Sequence, residues 1–114
     1  MDISLTGVWE CSEYECPVGT KHTERVSISH ADEHLIATKI TGDDCVPAGF
    51  ETFRGRLPTG SLIGAITWTG GLPREPASST FPGFLKVIDN DHFQAGSSHW
   101  NDMFFVRIRD SRGQ

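Results

Sequence analysis

This chain has a single tyrosine, two methionines and three cysteines among 114 residues. Nowhere does it approach the roughly 18 consecutive apolar residues of a membrane-spanning helix, which excludes the membrane as a partner in that form. Its Cys11, Cys16 and Cys45 are an odd set, and no Asn-X-Ser/Thr sequon occurs. The opening residues have neither a basic start nor an apolar run, so no secretory signal is visible and a reducing, cytoplasmic location is the expectation. Basic residues are outnumbered, with ten Lys and Arg against fifteen Asp and Glu for a formal charge of −5. Without a Lys/Arg cluster to displace counterions, nucleic acid is excluded as the main partner. Gly-x-Ser-x-Gly, His-Glu-x-x-His and the phosphate-binding glycine loop are also missing, and no cofactor is implied.

What is present is turn chemistry and short apolar alternation. Twelve glycines and six prolines punctuate a chain with seven phenylalanines. One domain fits this length, and about two thirds of the extended surface can be buried. Val26 and Ile28 alternate with polar neighbours, and strand-type patterns recur at residues 7–12, 35–40, 50–57, 61–68, 83–88, 92–95 and 103–108. Ala31-Asp32-Glu33, Pro58-Thr59-Gly60 and Asp89-Asn90-Asp91 read as hairpin connections. The pattern predicts an all-β fold: a small antiparallel β-barrel of about eight strands, up-and-down, lipocalin-like or partly open. Residues 69–80, with two glycines and two prolines, read as an exposed loop interrupting the strand rhythm, and residues 110–114 as a polar tail. Val26, Ile28, Leu62 and Ile66 are expected to face inward and Trp9 to fill the interior. Alternation puts Phe104 and Phe105 on opposite faces, and Phe84 and Phe93 are further wall candidates; an exposed phenylalanine makes a homodimer an open expectation.

The most distinctive stretch runs from Ala37 through Lys39-Ile40-Thr41-Gly42-Asp43-Asp44-Cys45-Val46-Pro47-Ala48-Gly49 to Arg54. A strand ends at Ile40, Gly42 permits a positive φ, Asp43 accepts amide hydrogens of the turn, Pro47 extends Val46, and Gly49 allows a second bend. Gly42, Pro47, Ala48 and Gly49 thus account for a rigid reversal. This stretch resembles the Lys-(Ile/Leu/Val)-Thr-Gly-Asp-x-x-Val-Pro-Ala-Gly signature of the cyclin-D-binding substrate domain of an F-box protein and of plant EXECUTER-type domains. Gly7-Val8-Trp9 and Gly19-Thr20-Lys21-His22-Thr23-Glu24-Arg25-Val26 are similar to the family's opening strands, and Phe81-Pro82-Gly83-Phe84 and Phe104-Phe105 more loosely to its closing ones. The resemblance implies a barrel-like module, here without an F-box, that holds a short peptide, often a chain terminus, for a ubiquitin ligase.

The remaining chemistry admits competing readings. Cys11, Cys16, His22 and Cys45 make a donor set suited to tetrahedral zinc, but their spacing lacks a Cys-x2-Cys hairpin and plain thiols explain them equally. Five histidines (His22, His30, His34, His92, His99) supply acid/base groups, although His30 and His34 flank a hairpin turn where solvation suffices. Trp68 and Trp100 lie near strand ends, where aromatics line ligand sites or cover a core. Lys39 and Arg54 flank the signature loop, either for a ligand carboxylate or as screened surface pairs with Asp43 and Asp44. These readings converge on non-catalytic recognition of a peptide or small molecule at a barrel rim by Lys39, Thr41, Asp43, Arg54, Trp68 and Trp100. The alternative is a small barrel enzyme or ligand carrier using His and carboxylate groups in an internal cavity.

Overall fold

A computed structural model of the chain describes residues 4–15, 21–42, 46–72, 75–97 and 100–108. These residues form eight strands: β1 Gly7–Glu15, β2 Lys21–Ala31, β3 His34–Lys39, β4 Glu51–Arg56, β5 Ile63–Leu72, β6 Glu75–Asp89, β7 His92–Ser97 and β8 Trp100–Arg107. Each pairs antiparallel with its sequence neighbour, and β8 returns to β1 through Trp9↔Arg107 and Glu10↔Val106. The all-β, up-and-down barrel is therefore closed rather than open, and closure gives every strand a neighbour on both sides where the barrel is complete. Among the described residues no helix is long and apolar enough to cross a membrane.

Alternation sorts most of the side chains, β3 most regularly. On β3, Leu35, Ala37 and Lys39 are buried while His34 and Ile36 point outward. Trp9, Val26, Ile28, Phe53, Ile66, Trp68, Leu85, Phe93 and Phe105 meet in one interior cluster. The rings fill it by contact: Trp9 lies edge-on to Phe93 at 4.7 Å, Phe93 stacks on Phe105 at 4.6 Å, and Phe53 meets Trp68 at 4.9 Å. Offset and edge-to-face arrangements of this kind add about 0.5–1.5 kcal/mol each beyond area burial. Phe105 is buried and Phe104 exposed, as alternation requires.

The hairpins follow their turn residues. Asp32 takes φ 57° in the β2–β3 connection, where Ala31 pairs with His34. Asp89 Oδ1 accepts from the Asp91 amide at 2.8 Å in the β6–β7 turn, and the Ser61 amide closes on the Pro58 carbonyl at 2.8 Å. Three expectations need correction. Residues 69–72 and 75–80 are not loop: β5 and β6 continue as a paired ribbon through Thr69↔Thr80, Gly70↔Ser79 and Leu72↔Glu75, and residues 73–74 between them lie outside the described residues. Pairing of β6 with β7 begins at Gly83↔Ser97, so among the described residues the stretch of β6 before it has β5 alone as neighbour. Proline is compatible with a strand that is paired on one side only, and Pro76 and Pro82 both fall there. Leu62 is 51% exposed, because the Ser61 hydroxyl, bonded to both the Ile63 amide and carbonyl, holds it in the turn ahead of β5. Gly42 lacks the expected positive φ; it is needed for closeness, since a Cβ there would stand 2.4 Å from the Ala48 amide nitrogen. Gly49 does bend the chain through φ 88°.

Candidate functional site

The two ends of the barrel are built differently. At one end gather the last residues of β1, β3, β5 and β7, the first of β2, β4, β6 and β8, and the signature reversal. There the main chain is pinned: the Lys39 amide donates to the Phe50 carbonyl at 2.9 Å and the Gly49 amide to the Lys39 carbonyl at 2.8 Å. Val46 is buried beneath the reversal, and Pro47 is half-buried. Asp43 and Cys45 lie outside the described residues.

Beside this reversal sits an ion pair. Lys39 Nζ lies 3.1 Å from Glu24 Oε1, with both side chains 3% exposed or less. The Thr41 hydroxyl donates to the same Glu24 oxygen at 2.6 Å and accepts the Arg25 amide at 2.9 Å. The carboxylate thus receives an ammonium and a hydroxyl donor, which is the compensation a buried charge requires. Lys39 is not a surface residue: it is in phase with Leu35 and Ala37, so its stem enters the barrel and meets Glu24, while Asp43 and Asp44, its other expected partners, lie outside the described residues. Thr41 itself remains exposed at the rim. Cys11, opposite Glu24 on β1, is buried, and burial pushes its thiol up to about 11.

The other proposed site residues are scattered. Arg54 points outward and grips Glu51 through Nε at 2.7 Å and Nη2 at 2.6 Å, which raises its already high pKa. It borders a groove of about 450 Å³ on the outer sheet face, with His34, Ile36, Arg56, Ala65 and Thr67. Trp68 is a core residue: its ring is 1% exposed and its indole N–H donates to the Gly96 carbonyl at 2.9 Å. Gly83 makes room for it, since a Cβ there would stand 2.5 Å from the indole. The backbone of Trp100 opens β8 opposite Ser97. For the zinc set, Cys16 lies outside the described residues along with Cys45, and His22 is placed only by its backbone, opposite Tyr14. Among the described residues no three His, Cys, Asp or Glu side chains group as metal ligands. Lys39 and Thr41 therefore come together, while Arg54 and Trp68 belong to the outer face and the core.

Glu24 was not among the residues singled out, although its position shows it. Glu24, Val26 and Ile28 share one face of β2, so an inward carboxylate follows from period two alone.

The opposite end is sealed. Leu5 is fully buried, its amide donates to His30 Nδ1 at 3.0 Å, and its carbonyl accepts the Trp9 indole N–H at 2.8 Å. Arg107 donates to the carbonyls of Ser4, Thr6 and Asn90 at 2.8–2.9 Å, with its guanidinium carbon 4.4 Å from the Trp9 ring centre. His30 is accordingly not the solvated turn residue expected from its place beside the hairpin.

No family model matches the chain, and a search of curated proteins finds no match either.

Proposed function

We propose that this barrel is a non-catalytic recognition module that takes the end of a short peptide at the rim bounded by residues 41–49 and the β5–β6 ribbon. The Glu24–Lys39–Thr41 cluster carries the reading. Removing two charges from water is costly, and a hydrophobic pair of similar volume is often as stable or more so. Polar groups held rigidly at one end of an otherwise aromatic interior are what orientation-specific binding needs, because their geometry is fixed before the ligand arrives. Thr41 links that buried cluster to the surface. The likeness of residues 37–49 to the substrate-domain signature points the same way, and the aromatic contacts across the interior favour the rim over a ligand carried inside.

A peptide array displaying each sequence with a free carboxylate and with an amide at its C-terminus tests this. The expected result is binding that depends on the terminal group, is lost in Thr41→Val and is kept in Arg54→Ala. Binding indifferent to the chain end and to Thr41, or abolished by Arg54→Ala, overturns the reading in favour of the outer groove; capture of small polar compounds without peptide replaces the ligand class.

A further inference from the structure

The hydrogen bond from the Leu5 amide to His30 joins residues 25 apart in sequence and exists in one protonation state of the ring. Nδ1 accepts, so the proton of the neutral imidazole is on Nε2, and Nε2 is buried without a hydrogen-bond partner among the described residues. An imidazolium carries hydrogens on both nitrogens. Nδ1–H would then face the Leu5 N–H, donor against donor, and the charge would lie beside a fully buried leucine.

We propose that His30 is an acid-sensitive latch for the N-terminal segment: neutral, it docks Ser4–Leu5–Thr6 into the sealed end of the barrel, and protonated, it releases them.

The segment's other ties run through the same three residues. Thr6 Oγ1 accepts the His30 amide at 3.2 Å, Trp9 reaches the Leu5 carbonyl, and Arg107 holds the carbonyls on either side. Losing the central amide bond therefore loosens all of them, and Trp9 gains access to water. Among the described residues, the elements packed around His30 carry few charges. On β8 there is Arg107, bridged to Asp91 at 3.3 Å. On the β2–β3 connection there are Asp32 and Glu33, of which Glu33 is engaged by Arg56 and the Thr59 amide, and His34 opens β3. None offsets an imidazolium: burial depresses the His30 pKa below 6.5, with no opposing charge as a cause. The sign follows. The docked state resists protonation and the released state does not, so docking is complete above about pH 6.5 and weakens as pH falls below it.

The test is hydrogen exchange on the full chain, reading the Leu5 amide protection factor corrected for intrinsic rates, with Val26 and Phe93 as references. Taking the solution from about pH 7.5 to about pH 5, across the range in which imidazoles titrate, should cut Leu5 protection by about tenfold or more while the references hold. His30→Asn keeps an oxygen acceptor near the place of Nδ1 and cannot titrate, so its Leu5 protection should be flat across that range. Ring nitrogen spectra of the unmodified protein supply a readout that needs no variant: an Nε2–H tautomer at the higher pH, with a midpoint coinciding with the loss of Leu5 protection. Unchanged Leu5 protection, a pH dependence that survives in His30→Asn, or an Nδ1–H tautomer overturns the proposal.

Discussion

The two ends of this barrel solve one problem in opposite ways. Both must satisfy polar groups where the sheet stops. The sealed end brings in a separate stretch of chain: Leu5 fills the interior as an apolar plug, and Arg107, lying across Trp9, satisfies backbone carbonyls from three residues. At the other end a charged pair, Glu24 and Lys39, is placed inside, with Thr41 reaching from it to the surface. One end spends its polar contacts on closure. The other holds polar groups in fixed positions at a rim, and this difference is why we propose recognition there and a latch at the sealed end.

The sharpest way to break the comparison is to leave half of the buried pair. Glu24→Ala removes the carboxylate beside the buried Lys39 ammonium and should destabilise the protein by about 3–5 kcal/mol in urea titrations. The double variant Glu24→Leu with Lys39→Met removes both charges and should recover most of that loss while abolishing peptide binding. If the double variant is as unstable as the single one, the pair serves the fold and not the rim.

At the sealed end the corresponding variant is Arg107→Ala. It gives up hydrogen bonds to the Ser4, Thr6 and Asn90 carbonyls and the contact with Trp9, for an expected loss of about 2–4 kcal/mol. Peptide binding at the rim should survive at temperatures where the variant is folded, because no Arg107 contact reaches Thr41. A smaller effect is expected from Gly83→Ala, beneath the rim. The added methyl meets the Trp68 indole and the Gly96 carbonyl, and the overpacking should cost about 1–3 kcal/mol by the same titration.

How far these ends were legible in the sequence follows from what each depends on. The strands and three hairpin turns depend on period two and local turn residues, and they read directly. Lys39 and Glu24 obey the same period, but a long charged side chain is ordinarily assigned to the surface, and that prior hid an inward pair. Residues 69–80 misled for a related reason: glycine and proline mark loops in a complete sheet, and the exception, a ribbon extending past the point where β7 joins, is set by tertiary arrangement. The docking of Leu5 on His30 was illegible because no local pattern couples residues 25 apart.

The mildest test concerns the outer edge of the sealed end, where charges stay in water. Glu33 accepts the Thr59 amide at 3.1 Å and the Arg56 guanidinium, and these bonds, the amide foremost, hold its carboxyl below the usual 4.5. A depressed folded-state pKa means a contribution fully present above about pH 4.5 and lost as acid drives the folded carboxylate to protonate. Glu33→Gln should therefore lower Tm slightly at neutral pH, and the Tm curves of variant and parent should converge as pH falls below about 4. Solvent screens such a pair, so its effect belongs well below that of Glu24, whose partners lie inside the barrel. A Glu33→Gln loss matching Glu24→Ala would mean that burial does not separate the two ends, and the contrast between a screened seal and a desolvated rim would fail.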